Sequence, residues 1–360
     1  MTTLHIFNPE HDLALASGLS NYTAPHAGRQ LRYDLGWIPA LWAQQGDYIL
    51  VDDQDIATKA VEKLQKKLAL PNVNFITQNA HPIHPDVLSP WGWDAAIRAR
   101  MQRLLPNSPL LPSDAQIDHI RQLSHRSTSA LLLKQLHATL HHSALVGEAM
   151  ECHTASEVTT AISQWKKVVI KAPWSSSGRG IRFVDQVLTP SAEGWLQNTL
   201  NQQGSVMVEP YYNKVKDFGM EFAADGNGHI EYLGLSLFHT RNGAYTGNLL
   251  ATEAYKRQEL GRYLSIDLLN EVQQCICQQL TGILQSYQGM FGIDMMIVGT
   301  EANDKQAYLH PCVEINLRRT MGHVALALTP LVNLQADNEI VRVMRIEYEA
   351  NQYKLKIQRP

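Results

Sequence analysis

The chain has 360 residues, 44% hydrophobic and 18% charged, a globular composition that excludes a fibrous or disordered polymer. A net charge of −3 without a long basic block argues against extended binding to nucleic acid or an anionic membrane. No apolar run is long enough for a membrane helix, MTTLHIFNPEHDLALA lacks the make-up of a signal peptide, and Cys152, Cys275, Cys277 and Cys312 show no zinc-type spacing, so a cytoplasmic protein with reduced thiols is expected.

Residues 3–8 (TLHIFN) read as a first strand, followed by a long polar loop from Pro9 to about Pro25. Leu31, Leu35, Ile38 and Trp42 give 27–45 helical spacing, with a kink at Pro39. YILVDD (48–53) and NVNFIT (72–77) read as strands around a lysine-rich helix, and the alternation predicts a small parallel sheet. One helix near 93–105 falls within the Pro- and Trp-rich segment 80–113. Helices over 114–123 and 127–140, a strand near 144–148 and a short helix at 155–164 follow. Then come a hairpin at 167–184, a helix at 190–202, a strand at 205–209 and strands within 216–239. A long helix at 265–286, strands at 291–298 and 307–317, and a closing hairpin complete the order.

The hairpin contains VVIKAPWSSSGRGIRFV, residues 168–184. A phosphate-binding P-loop places its lysine after the last glycine, where a helix begins. Here Lys171 precedes the glycines, and IRFV after Gly180 is β-prone, so neither a P-loop nor a dinucleotide-binding turn fits. A Ser/Gly tip can still wrap backbone N–H groups around phosphate oxygens, with Lys171 as a point charge; an exposed turn with a surface lysine is the equal alternative.

Later carboxylates shift that balance. In VEINLRR (313–319) strand alternation sets Glu314, Asn316 and Arg318 on one face, offering hard oxygen ligands for Mg²⁺ and a cation for an anion. In FGIDMMIV (291–298) Asp294 is the one charge in an apolar strand, costly unless paired or metal-bound. In VMVEPYYNKVKDFGMEF (206–222) an apolar strand ends at Glu209, Pro210 stops the ladder, and Asp217 or Glu221 is placed to take ribose hydroxyls.

This order (lysine-first glycine hairpin, strand ending Glu-Pro, isolated strand Asp, E-x-N strand) resembles the ATP-grasp superfamily over about 115–330. The resemblance implies an ATP-grasp fold, α/β and α+β, with an N-terminal Rossmann-like domain at 1–113. It implies ATP-grasp subdomains at 114–204, with the glycine hairpin, and at 205–360, with the metal site and closing hairpin. Lys171 resembles the lysine that grips the phosphates, and Ser175, Ser176, Ser177, Gly178 and Gly180 the loop over them. Glu209 resembles the adenine hinge and Asp217 the ribose acid; Asp294, Glu314 and Asn316 match the ligands of Mg²⁺, expected as two ions. Arg318 resembles the arginine that steadies the reacting group. Where the family has an earlier lysine this chain reads LSHRSTSALLLK, so Arg126 stands in, and Trp174 occupies a place more often small.

The resemblance implies an ATP-dependent ligase that activates a carboxylate as an acyl phosphate and joins it to an amine or thiol. An ATP-grasp kinase and a non-catalytic nucleotide-binding regulator are the alternatives. Small-molecule carboxylate and amine or thiol substrates are expected as partners, with no nucleic acid and no membrane; a homo-oligomer is compatible with this reading. In the N-terminal FNPEHDLALA, Glu10, His11 and Asp12 fall at the carboxyl end of a strand, where open parallel sheets bind ligands. Substrate contact is one reading there; local helix capping by Asn8 and Asp12 is the other. Arg241 and His323 are further substrate-contact candidates.

Overall fold

A computed structural model describes residues 1–80, 82–175, 180–241, 244–300, 303–332 and 341–359, with backbone only at 241, 244, 300 and 303–306. The chain begins β1 (Thr3–Ile6), α1 (His11–Ser17), α2 (His26–Leu35), a 3-10 turn (Ile38–Leu41) and β2 (Tyr48–Leu50). Next are α3 (Gln54–Gln65), β3 (Asn74–Ile76), β4 (Val87–Pro90), α4 (Ala95–Leu104), α5 (Asp114–Leu123) and α6 (Arg126–Leu140). There follow β5 (Met150–Cys152), α7 (Ala155–Trp165), β6 (Lys167–Lys171), β7 (Ile181–Asp185), α8 (Pro190–Gln203) and β8 (Val206–Pro210). The later elements are β9 (Lys214–Asp225), β10 (Ile230–Ser236), β11 (Phe238–Arg241), β12 (Ala244–Leu250), α9 (Glu253–Leu260) and α10 (Ile266–Ile283). β13 (Gln288–Thr300), β14 (Asn303–Asn316), α11 (Met321–Leu331), β15 (Arg342–Glu349) and β16 (Gln352–Gln358) close the chain.

These elements fall into two units: Met1–Gln122, Thr246–Tyr255 and Leu317–Pro360 form the first, Leu123–Tyr245 and Lys256–Asn316 the second. In the first, strands run parallel in the order β3-β2-β1-β4. The chain moves from β1 outward to β2 and β3, then crosses to the other side of β1 for β4, so the order reverses between β1 and β4. Leu4, Ile6, Leu50 and Ile76 pack on Ile97 and Met101; Phe7, Ile49 and Val51 pack with Trp91, Val324, Leu328 and Met344. Burial on both faces is what a parallel sheet requires. β12 pairs antiparallel with β15 and β15 with β16, and Tyr353 N donates to Asp34 of α2 at 2.8 Å.

Two expectations fail here. The loop expected over Pro9–Pro25 contains helix α1, ended by Gly18 in the left-handed conformation (φ 66°). β4, four residues ending in proline, lies within the segment expected to hold only a helix.

The second unit holds two four-stranded sheets, β5-β8-β6-β7 and β10-β9-β13-β14. In the first, all neighbours are antiparallel, and Val168, Ile170, Val206 and Val208 pack on Val158, Ile162 and Leu196. The helices beneath it start at capping residues: Thr154 accepts from Glu157 N, and Thr189 from Ala192 N ahead of Pro190. The strand expected at 144–148 lies instead at β5, and residue 145 contributes a single bridge to Leu309. Pro210 does not stop its ladder: it pairs with Val168, and Tyr211 N donates to Lys167 O at 2.9 Å. Proline tolerates this place because the following amide carries the bond. Among the described residues, no helix is long and apolar enough to cross a membrane.

Candidate active site

The second unit gathers most of the expected nucleotide and metal residues. Lys171 ends β6, and its Nζ donates to Glu209 Oε2 of neighbouring β8 at 2.6 Å, with both side chains buried. An ion pair this enclosed is costly to form and more costly to leave half-made.

Antiparallel register builds the acidic face of the other sheet. Asp294 on β13 stands directly opposite Glu314 on β14, and Gly292 opposite Asn316. On the other flank Asp294 faces Gly219, Gly292 faces Glu221 and Met296 faces Asp217. Because directly paired residues share a face, Asp217, Glu221, Asp294, Glu314 and Asn316 all project from one side of the sheet. Gly219 leaves room in the middle: a Cβ there would lie 3.2 Å from Ile293 O and 3.7 Å from both Asp294 Oδ1 and Glu221 Oε1. Asn316 Nδ2 donates to Asp294 Oδ2 at 3.1 Å. Glu221 is almost wholly buried; Asp217 accepts from Lys214 Nζ at 2.5 Å and Thr240 Oγ1 at 2.9 Å.

Arg126, the first residue of α6, joins the two sheets. Its Nη1 donates to Ala172 O at 2.6 Å and Ser175 Oγ at 2.8 Å; its Nη2 donates to Glu314 Oε1 at 2.7 Å. One planar guanidinium thus bonds the start of the glycine hairpin and the acidic strand together. Ser129 of the same helix accepts from Ile315 N at 2.9 Å, which fixes α6 along β14. Gly180 is required by space, since a Cβ would collide with the Ser175 side chain. Ser176, Ser177 and Gly178 lie outside the described residues. Trp174 packs its ring edge-on to His125 (centroids 4.7 Å apart), and its amide donates to Gln203. It therefore packs the hairpin's base down.

His310 was not singled out by its sequence context. It lies on the Glu314 face of β14, 1% exposed, with neither ring nitrogen bonded among the described residues. Burial, with Lys171 and His137 nearby, pulls its imidazole down to about 3. Tyr212 packs edge-on against it, and a Cβ on Gly147 (φ +125°) would sit 2.8 Å from Nε2. Cys312, also on β14, is buried, and desolvation pushes its thiol well above the usual range.

The first unit places the remaining candidates. Arg318 does not continue the Glu314–Asn316 face, because β14 ends at Asn316. Its guanidinium forms a two-point pair with Asp12, both bonds 2.7 Å. Glu10 pairs with Arg32, which also bonds Asp52 at 2.9 Å; Arg100 bonds Asp52 at 2.7 Å. His11 Nδ1 meets Asp94 Oδ2 at 3.1 Å. Desolvation raises the Glu10 pKa against the pull of Arg32, while Arg100 and Arg32 overcome desolvation to lower that of Asp52. His323 caps α11, its Nδ1 accepting from Thr320 N at 3.0 Å. The Arg241 side chain lies outside the described residues. Arg32, Asp52, Asp94 and Arg100 were missed; their one signal is position in the segments that follow the parallel strands.

No protein-family model matches the sequence, and no curated protein is similar to it in sequence. Solved structures do resemble the fold. N5-carboxyaminoimidazole synthetase from Staphylococcus aureus, complexed with ADP, aligns with TM-score 0.50 and 14% identity over 97% of this chain and 83% of that one. The biotin carboxylase domain of Hydrogenobacter thermophilus 2-oxoglutarate carboxylase, in complex with MgADP and bicarbonate, aligns with TM-score 0.53 and 12% identity over 96% and 74%. Phosphoribosylamine–glycine ligase from Thermotoga maritima aligns with TM-score 0.50 and 12% identity over 96% and 80%. The chain has the ATP-grasp fold.

Proposed function

We propose that the protein is an ATP- and Mg²⁺-dependent ligase that activates a carboxylate as an acyl phosphate and joins it to an amine or thiol. The observation that carries the reading is the meeting of Arg126, the Lys171 strand and the Asp294–Glu314 pair in one unit. The ligase chemistry of the similar structures supports it. The carboxylates of Asp294 and Glu314 and the amide oxygen of Asn316 fit Mg²⁺, a hard cation that takes oxygen ligands. When bound, Mg²⁺ supplies charge neutralisation for a transferring phosphoryl group.

This chain's residues do the rest. Lys171, now paired with Glu209, offers a cation to the phosphates, and Arg126 offers a planar one. Ser175 and Gly180 contribute to the cover over them, and Glu209 with the residues after it presents backbone groups to a flat base. Asp217, with Glu221 four residues on along β9 and on the same face, takes the ribose hydroxyls. In the first unit Arg318 is the candidate to steady the reacting group, and Glu10, His11, Asp12 and His323 are candidates for substrate contact; in the second unit Arg241 is the candidate.

Calorimetric titration with ATP, with and without Mg²⁺, tests the assignment. Saturable binding that Mg²⁺ strengthens, and that Glu314→Gln or Asp294→Asn loses while the fold persists, is the expected result. Equal binding by these variants removes the metal assignment.

A further inference from the structure

Like charges directly opposite each other on neighbouring strands repel. Asp294 and Glu314 stand so on β13 and β14, and Asp217 and Glu221 lie on the same face. Arg126 supplies a cation that relieves this. Its Nη2 donates to Glu314 Oε1 at 2.7 Å, and its side chain is only 6% exposed. Asn316 Nδ2 donates to Asp294 Oδ2 at 3.1 Å. The carboxylate that suits Mg²⁺ is thus already held by a guanidinium, and a second cation arriving there would meet that charge.

The same guanidinium is not fully satisfied. Its Nη1 donates to Ala172 O at 2.6 Å and Ser175 Oγ at 2.8 Å, but its Nε–H is buried without an acceptor among the described residues. A buried donor without an acceptor carries a cost that an arriving oxyanion removes. A planar guanidinium suits phosphate as well as it suits a carboxylate. Arg126 therefore has two anions to choose between, one of them Glu314.

We propose that Arg126 gates the metal: it holds Glu314 until a nucleotide phosphate takes its guanidinium, so that Mg²⁺ enters with the nucleotide and not before it. The inference rests on the ligase reading and adds an order of binding to it. The charges dictate that order. Mg²⁺ alone would turn Arg126 off Glu314 with no anion to receive it. ATP alone would take Arg126 and leave Glu314 uncompensated opposite Asp294. A buried charge that loses its partner is costly. When both arrive, phosphate pairs with Arg126 and Mg²⁺ with Glu314, and each charge has a partner. Each ligand therefore strengthens the other by the same factor. Because Nη1 also holds Ala172 O and Ser175 Oγ, the exchange loosens the base of the glycine hairpin in the same event.

Mn²⁺ binding to the full chain without nucleotide, read by electron paramagnetic resonance of the free ion, tests this. Arg126→Met, which keeps a long side chain without its charge, should bind Mn²⁺ about fivefold or more tightly than the native chain, although it binds ATP more weakly. Adding Glu314→Gln should abolish that gain. An Arg126→Met chain that binds Mn²⁺ no more tightly, or a gain that survives Glu314→Gln, overturns the proposal. The native chain gives a second reading that needs no variant to fold: ¹⁵N-arginine NMR, with Arg126 Nε assigned through its own side-chain carbons. Millimolar Mg²⁺ alone should leave that signal in place, and Mg²⁺ with the β,γ-imido analogue of ATP should move it. An equal movement with Mg²⁺ alone overturns the proposal. Calorimetry with the same analogue separates the two readings. Nucleotide binding with an unmoved Arg126 removes the gate and leaves the ligase standing. Tighter Mn²⁺ in Arg126→Met without any nucleotide binding to the native chain removes the ligase and keeps the guarded metal site.

Discussion

Arg126 donates to Glu314 at 2.7 Å while the other arm of the same guanidinium holds Ala172 O and Ser175 Oγ. Residues far apart in sequence are thereby fixed around one buried cation, and the hairpin base is tied to the acidic strand. Arg126→Ala leaves a buried carbonyl unbonded and one Glu314 oxygen without its partner. Stability should fall by about 1–3 kcal/mol. ATP affinity should fall about tenfold or more, equivalent to about 1.4 kcal/mol. Arg126→Lys keeps the charge but not the fork, and should recover less than half of the affinity loss. Denaturant melts and calorimetry on both variants check this.

Lys171 and Glu209 separate a structural role from a binding one. Lys171→Met strands a buried carboxylate and should cost about 3–5 kcal/mol. Adding Glu209→Leu removes the stranded charge and should restore much of that stability. Nucleotide binding should stay lost in the double variant, because the phosphate cation is gone. A double variant that is stable and still binds ATP with native affinity would show that Lys171 serves the fold alone.

His310 gives the folded state a pH dependence. Its imidazole is pulled down to about 3 by burial and by the charges of Lys171 and His137, against an ordinary value of 6.5. Below pH 6.5 the unfolded chain takes up a proton that the folded chain refuses. Stability therefore falls as pH drops from about 6.5 towards about 3, at about 1.4 kcal/mol per pH unit, and this contribution is constant above 6.5. His310→Leu should flatten the slope between pH 7 and pH 5 relative to the native chain. Urea melts at both values read the difference.

Gly147 tests the same packing from the other side. Its positive φ (+125°) and the 2.8 Å approach of a Cβ to His310 Nε2 make alanine both strained and clashing. Gly147→Ala should destabilise by about 2–4 kcal/mol. The double variant Gly147→Ala/His310→Ala should lose less than the sum of the single changes, since the clash is shared. Additive losses in denaturant melts would contradict the contact.

The acidic sheet face was legible because strand alternation has a period of two: Glu314 and Asn316, and Asp294 alone in an apolar run, read directly from spacing. The hairpin was legible because two β-prone runs flank Ser and Gly. α1 was not, since HDLALAS is short and Glu10 makes no side-chain cap. β4 was not, since its four residues end in proline and are only partly buried. The Glu10–Arg32–Asp52–Arg100 network joins two loop residues to helices α2 and α4, and only the parallel order of the sheet brings it together. Arg318 read as part of the metal face; the strand ends two residues earlier, and a bidentate bond to Asp12 takes its guanidinium instead.

The most direct test is ³¹P NMR of ATP turnover with Mg²⁺, a pool of small carboxylates and a pool of primary amines, each omitted in turn. The account predicts ADP and inorganic phosphate in equal amounts, appearing only when both pools are present and lost in Glu314→Gln. Phosphate retained on a stable product, or no ATP consumption under any combination, would contradict it.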